Sequence, residues 1–146
     1  MRKLSALSLL SLALLAAPSF ARDDIGNYSI ADAMALPVAQ SKLGNDITFY
    51  FGEQAHPEVE KALLEVKTNK KTNAFNKSDE EACQWVFLSA MIALKDRAIK
   101  EGGNAVINIK SNYKNNLTSS EETFQCGAGA LIAGVALTGE IVKLKQ

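Results

Sequence analysis

The chain has 146 residues, of which 47% are hydrophobic and 22% are charged, and its 16 Lys and Arg balance 16 Asp and Glu. This composition is typical of one globular domain with its own core, and the balanced charge excludes a general electrostatic attraction to nucleic acid. Two cysteines and one histidine leave few side chains for thiol chemistry, zinc ligation or a Ser-His-Asp site.

Residues 1–21 have the pattern of a signal peptide. Arg2 and Lys3 precede an apolar run over 4–16, and small residues stand at the two positions that a signal peptidase reads, Ser19 and Ala21. The run is too short to span a hydrocarbon core of roughly 30 Å as a helix. We therefore expect cleavage after Ala21, a periplasmic or secreted location, and no transmembrane segment in the mature chain; a retained anchor is the alternative.

Residues 22–45 are predicted to form an N-terminal arm, and residues 46–146 a single α+β domain. The stretch 29–34 favours a short helix that Pro37 should end, so we expect the arm to pack loosely. A first strand is predicted at 47–51, because apolar residues alternate there up to Gly52. Residues 59–68 form either a second strand or a short helix, and we favour the strand.

One long helix is predicted from Ser78 to the Gly102-Gly103 pair. Ser78 and Glu81 have capping-box spacing, the first turn is acidic, and glycine supplies the left-handed stop. Apolar residues then recur at helical spacing in two stripes. The first stripe is Cys83, Phe87, Ala90, Met91, Leu94 and Ala98, and the second is Trp85, Leu88, Ile92 and Ile99.

The sheet can bury the first stripe but not the second, so the second stripe must pack against something else. The arm could cover it through Ile30, Met34, Leu36 and Val38, and otherwise a neighbouring subunit of a homo-oligomer must, because so large an apolar patch is unusual on a soluble monomer.

Strands are predicted to follow the helix. Residues 104–111 alternate so that Ile107 and Ile109 share a face against the helix, and 112–120 is a polar loop. Residues 122–126 form a strand, and 128–145 form a long buried strand whose glycines mark bulges or bends. We predict an α+β fold: a four- to five-stranded sheet packed on one long helix, with one disulfide.

Cys83 and Cys126 are predicted to form that disulfide, because two cysteines in an exported chain most simply pair with each other. The alternative is a redox-active or metal-binding thiol pair, in which Cys83 would gain reactivity from the helix N-terminus. The chain has no C-x-x-C pair, which favours the structural disulfide.

The remaining polar candidates are one histidine and one basic segment. His56 lies in a loop without a flanking motif, which favours a surface residue over a catalytic one. Lys67, Lys70, Lys71 and Lys77 would hold either an anionic envelope polymer or phospholipid headgroups, or simply discourage edge-strand pairing. No catalytic residue, metal ligand set or cofactor is predicted.

Three runs of sequence resemble a family of small exported bacterial proteins of unknown function, some of which are labelled excinuclease. The runs are KTNAFNKSDEEACQW over 71–85, GNAVINI over 103–109, and CGAG with AGVALTG within 126–139. The resemblance covers most of the mature chain and implies export; it brings no known chemistry.

A fainter similarity is to the YbjQ-like proteins and to the periplasmic domain of the Rcs envelope-stress lipoprotein. In both, a helix ends in a Gly-Ala-Asn-Ala-like turn and enters a strand, as Gly102-Gly-Asn-Ala105 does here. The YbjQ-like resemblance implies ring-shaped homo-oligomers. The chain departs from the lipoprotein by lacking a lipidated cysteine and a second cysteine pair.

The sequence therefore predicts a non-enzymatic periplasmic protein, either a binding module or an envelope-stress component, whose partner is an unknown envelope component. The alternative is a small periplasmic hydrolase or thiol-redox enzyme that uses His56 or Cys83.

Overall fold

The computed structural model describes residues 22–146, so the predicted signal peptide lies outside the described residues. Within them the chain forms a mixed sheet of seven strands and three helices, of which one is long. The elements in chain order are β1 (Asp24–Ser29), α1 (Ile30–Ala35), α2 (Pro37–Leu43), β2 (Thr48–Phe51), β3 (Val59–Asn73), α3 (Asp79–Glu101), β4 (Ala105–Tyr113), β5 (Asn116–Thr118), β6 (Thr123–Ala128) and β7 (Ile132–Leu144).

The sheet is organised around β7. One side of β7 pairs antiparallel with β3 over its whole length, and the other side pairs with β6 near its start and with β4 over the rest. β1 extends the sheet from β6, β2 runs parallel to β4, and β5 forms a short hairpin with β4. The sheet is larger than the four to five strands predicted, because β1 and β5 lie in segments expected to be an arm and a loop.

The long helix α3 has the predicted ends. The Ser78 Oγ accepts a hydrogen bond from the Glu81 backbone N–H at 3.1 Å, and three acidic residues follow in the first turn. Gly102 ends the helix with a φ of 78°, a left-handed conformation that residues with a Cβ resist.

The main hydrophobic core joins α3 to strand residues. The disulfide between Cys83 and Cys126 confirms the predicted pairing and links α3 to β6, with 5.9 Å between the Cα atoms. One turn along α3, the Phe87 ring stacks on the Phe124 ring with centroids 4.1 Å apart. These aromatic and disulfide contacts lie side by side on consecutive turns of the helix and on alternate residues of β6.

The N-terminal segment is built into this core, in contrast to the loosely packed arm expected. Ser29 caps α1, as its Oγ accepts from the Asp32 N–H, and Ile30 is buried. Pro37 does not simply end a helix; it is the first residue of α2, where its missing N–H has no partner to lose. The prediction failed because Asp24, Gly26 and Asn27 are residue types with weak strand preference, so no local signal in the sequence indicated β1.

The second stripe of α3 is covered only in part. Leu88 is buried and Ile92 is half-buried, whereas Trp85 and Ile99 are about half exposed. The helices α1 and α2 lie against α3 on this side, where the Lys95 Nζ donates to the Lys42 carbonyl at 2.9 Å.

Candidate functional site

The candidate site is a groove on one face of the sheet, which we call the open face. Alternate residues of β7, among them Val135, Leu137 and Ile141, belong to the main core together with residues of α3. The residues between them point the other way. Register places Glu65 opposite Glu140, and both Lys67 and Lys110 opposite Thr138, so that these polar side chains share the open face.

The groove has a volume of about 500 Å³ and takes side chains from β3, β4, β5 and β7. An apolar cluster that includes Ile107 and Val142 borders it toward one end of β4. Its polar lining consists of Glu65, Lys67, Asn108, Lys110, Asn112, Thr138 and Glu140.

A bulge in β4 shapes the floor of this groove. Register shifts between Ile107 and Lys110, so Asn108 and Ile109 together stand opposite the single residue Gly139 of β7. Asn108 has a φ of 51°, in the left-handed region that asparagine tolerates better than most residues. The bulge directs the Asn108 Nδ2 toward Glu140, whose Oε2 accepts its hydrogen bond at 3.2 Å.

The same bulge corrects the predicted face of β4. Ile107 and Ile109 were expected side by side against the helix, but the extra residue places them apart. Ile109 and Val106 lie in the main core, and Ile107 lies in the apolar cluster beside the groove. Gly139 lets the two strands approach, because a Cβ there would lie 2.7 Å from the Val106 Cγ1.

The charges in the groove are balanced and largely unpaired. Within residues 22–146, neither Lys67 nor Lys110 has a carboxylate oxygen within 4.0 Å, and Glu65 has no cationic partner. Two ammonium groups, two carboxylates and two amides thus face one cavity, which suits a ligand that carries hydroxyl or amide groups and charges of both signs.

Tyr113 borders the open face at the end of β4. Its ring lies over Gly127 and Gly134, which face each other across β6 and β7; a Cβ at Gly127 would overlap the Tyr113 hydroxyl. That hydroxyl donates to the Asp23 Oδ1 at 3.0 Å, and Lys114 forms an ion pair with Asp23.

These contacts shift the pKa values at this border. The hydrogen bond from Lys114, helped by that from Tyr113, lowers the pKa of Asp23 below its usual value. Burial, followed by the neighbouring Asp23, raises the pKa of Tyr113, while Asp23 raises that of Lys114. Asp23 therefore stays ionised and Tyr113 protonated over the whole neutral range.

The four predicted lysines are divided between the two faces. Lys67 and Lys71 lie on the open face, opposite Thr138 and Gly134, and Lys67 lines the groove. Lys70 lines a second cavity, of about 640 Å³, between β3 and the helix residues Asp96, Arg97 and Lys100, and Lys67 borders this cavity as well. Lys77 lies in the turn after β3, where its Nζ donates to the Asn73 carbonyl at 3.0 Å.

The structure does not bring the two residues of the enzymatic alternative together. His56 lies in the loop after β2, with its Nδ1 2.8 Å from the Pro57 carbonyl and its ring edge against Tyr50. Cys83 is fully buried in its disulfide.

Sequence reasoning missed Asn108, Lys110 and Glu140 as site residues. The signal available was a polar residue inside an apolar strand, Asn108 within AVINI, together with a glycine in the facing strand.

Comparisons with known proteins found no match to this chain: no protein-family model matches it, and neither does any curated protein or solved structure. In the part of the chain that the structure describes, no helix is long and apolar enough to cross a membrane.

Proposed function

We propose that this chain is an exported, non-enzymatic binding protein of the bacterial envelope, and that the open-face groove is its ligand site. The observation that carries the proposal is the Asn108 bulge. Backbone in the left-handed region is unfavourable for a residue with a side chain, and such conformations and β-bulges concentrate at functional sites. Here the bulge sets an amide and a carboxylate into the floor of a groove.

The ligand that fits this groove is a polar envelope component with groups of both charges. Lys67 and Lys110 would meet its anionic groups, Glu65 and Glu140 its amino groups, and Asn112 its hydroxyl or amide groups. Sugar chains that carry short peptides have this combination. A purely anionic polymer would meet two carboxylates without partners, which is unfavourable.

The oxidised cysteine pair supports the binding function over a hydrolase or thiol-redox enzyme. A disulfide that is fully buried offers no thiolate, and His56 is separated from both cysteines by its position in the loop after β2. A disulfide is also what an exported protein is expected to contain.

The proposal also takes up the fold and family expected from the sequence. In this proposal α3 packs on the face of the sheet opposite the open face, and the Phe87–Phe124 stack supports that arrangement. The open face is then available to a ligand. The proposal also follows the resemblance of the sequence to small exported bacterial proteins, and Gly139, within one of the runs that carry that resemblance, lines the groove.

Binding of peptidoglycan fragments tests the proposal. Muropeptides are titrated calorimetrically into the wild type, into a Lys67→Glu/Lys110→Glu variant, and into Lys143→Glu, which reverses an exposed charge outside the groove. We expect the double variant to bind about tenfold or more weakly, since it loses two charge-assisted contacts, and the control to bind as the wild type does. Absence of binding by the wild type, or equal binding by a folded double variant, would contradict the proposal.

A further inference from the structure

Three large apolar side chains are exposed together at one end of the sheet. Phe75, Leu131 and Ile132 are 59%, 63% and 56% exposed, and we call them the apolar tip. They belong to two adjacent connections, because the Ala74 N–H donates to the Leu131 carbonyl at 2.8 Å and Asn73 pairs with Ile132. Their neighbourhood in space follows from these backbone contacts.

The two connections differ in charge. Residues 127–139, which form the β6–β7 hairpin, contain no charged side chain. Residues 66–78, which carry Phe75, contain four lysines and no acid. An uncharged tip thus lies beside a basic segment, and we call its nearest lysines, Lys70, Lys71 and Lys77, the basic flank.

The acidic residues at this end are mostly engaged with other cations. Arg22 holds Asp24 and Asp79 in ion pairs of 2.8 and 2.9 Å, and Asp23 pairs with Lys114. In the described part of the chain, no lysine of the basic flank has a carboxylate oxygen within 4.0 Å. The first turn of α3 also carries Glu80 and Glu81.

We propose that the apolar tip inserts into the surface of a bilayer that contains anionic lipid, with the basic flank on the headgroups. Apolar and aromatic side chains beside lysines match the two layers of such a surface, since the acyl boundary accepts the former and the phosphates the latter. The proposal goes beyond ligand binding in the groove and does not depend on it.

A second copy of the chain fits the apolar tip less well. Contact between two tips would bring two basic flanks together, and like charges across an interface are unfavourable. Three partly exposed side chains also offer far less than the roughly 800 Å² per partner that a standard protein interface buries.

Vesicle sedimentation tests the proposal. The protein is purified from the cells that express it, and its N-terminal residue is determined by mass spectrometry. It is then mixed with vesicles of phosphatidylglycerol and phosphatidylcholine, or with vesicles of phosphatidylcholine alone. Variants carry the same N terminus, so any contribution from the residues before Arg22 is common to all. We expect the wild type to sediment with the anionic vesicles, and about tenfold less at high salt or with phosphatidylcholine alone.

The variants separate the apolar tip from general adhesion. Phe75→Ser/Leu131→Ser/Ile132→Ser should reduce binding by about tenfold or more, as should Lys71→Glu/Lys77→Glu, whereas Ile99→Ser, at a similarly exposed site on α3, should bind as the wild type does. In a Trp85→Phe background, Leu131→Trp should show a blue shift of its emission when anionic vesicles are added.

Equal sedimentation of the triple variant, or no sedimentation of the wild type, overturns the proposal. So does a concentration-dependent dimer that the triple variant abolishes, because the apolar tip would then be a self-interface. Muropeptide titration of the triple variant keeps the two proposals apart, as the loss of vesicle binding should leave the groove unaffected.

Discussion

Asn108 is the residue on which the geometry of the open face depends. Its positive φ lets β4 accommodate an extra residue against Gly139, and its side chain holds Glu140 in the groove. A β-branched residue with positive φ is a steric outlier, so the Asn108→Val substitution conflicts with the backbone itself.

We predict that Asn108→Val lowers the free energy of unfolding by about 2 kcal/mol, the scale on which a left-handed conformation is unfavourable. Asn108→Gly is the matched control, because it also loses the hydrogen bond to Glu140 but tolerates the φ. Urea unfolding measures both. If the two variants are equally stable, backbone strain at residue 108 is not what decides the effect.

Asp23 gives this end of the sheet a defined response to acid. Its pKa is below its usual value of 3.8 in the folded chain, chiefly because of Lys114 and then Tyr113. A carboxyl with a lowered pKa stabilises the fold while it is ionised. Its contribution is complete above the unfolded pKa and is lost as the pH falls through the folded pKa. The hydrogen bond with Arg22 lowers the pKa of Asp79, so the ionised Asp79 also stabilises the fold.

Asp23→Asn should therefore reduce stability at neutral pH and have a smaller effect at about pH 2, so that the variant loses less stability on acidification than the wild type does. Urea unfolding at the two pH values measures the difference. Asp46→Asn, which removes an exposed carboxylate without an ion pair among residues 22–146, is the control for the loss of a surface charge. If Asp23→Asn and the wild type lose the same amount of stability on acidification, the contact between Asp23 and Lys114 does not contribute to the pH dependence of stability.

At the scale of the elements, the disulfide joins α3 to β6 across 43 residues. The chain-entropy account gives such a loop about 4 kcal/mol, because the crosslink restricts the unfolded chain. We predict that Cys83→Ser/Cys126→Ser lowers the free energy of unfolding by up to that amount, measured in urea, and that the wild type in reductant behaves alike. Native protein that reacts with two equivalents of a thiol reagent would refute the pairing.

Tyr113 joins three strands by lying across the glycines of β6 and β7. Gly127→Ala should destabilise the fold by about 1–3 kcal/mol, since its Cβ would overlap the Tyr113 hydroxyl and approach the Asp23 Oδ1. In a Tyr113→Ala background the same substitution should have a much smaller effect, because the obstructing ring is gone. A double-mutant cycle in urea measures this coupling. Additive changes would mean that the ring is not what requires glycine there.

The elements show where the sequence is informative. α3 was predictable because Ser78, Glu81 and Gly102 mark its ends by local chemistry. β1 was not, because its pairing with β6 is a tertiary contact that overrides the weak strand preference of Asp24-Ile-Gly-Asn27. The groove was not predictable either, because it depends on the bulge in β4. Simple alternation places Ile107 and Ile109 on the same face, whereas the extra residue of the bulge moves the later side chains to the opposite face.

At the scale of the whole molecule, β3 is the long outer strand of the sheet. It has fifteen residues and, within residues 22–146, pairs only with β7. The backbone N–H and C=O groups along its other edge are therefore unpaired there. Such an edge invites pairing with another chain unless charged side chains oppose it. Lys61, Lys67, Lys70 and Lys71 are spread along it, which gives these lysines a role in keeping copies apart beside their place near the groove and the apolar tip.

Replacing two of these lysines should therefore promote self-association. Lys67→Thr/Lys71→Thr removes two charges and introduces a residue that favours strands, so identical edges can approach and pair through their backbones. We expect the weight-average mass from light scattering to rise with concentration above that of the wild type. Lys100→Thr/Lys143→Thr removes the same charge from exposed sites outside β3 and should scatter as the wild type does. If both variants associate equally, net charge and not the edge of β3 governs solubility; if neither does, the twist of β3 protects the edge without its lysines.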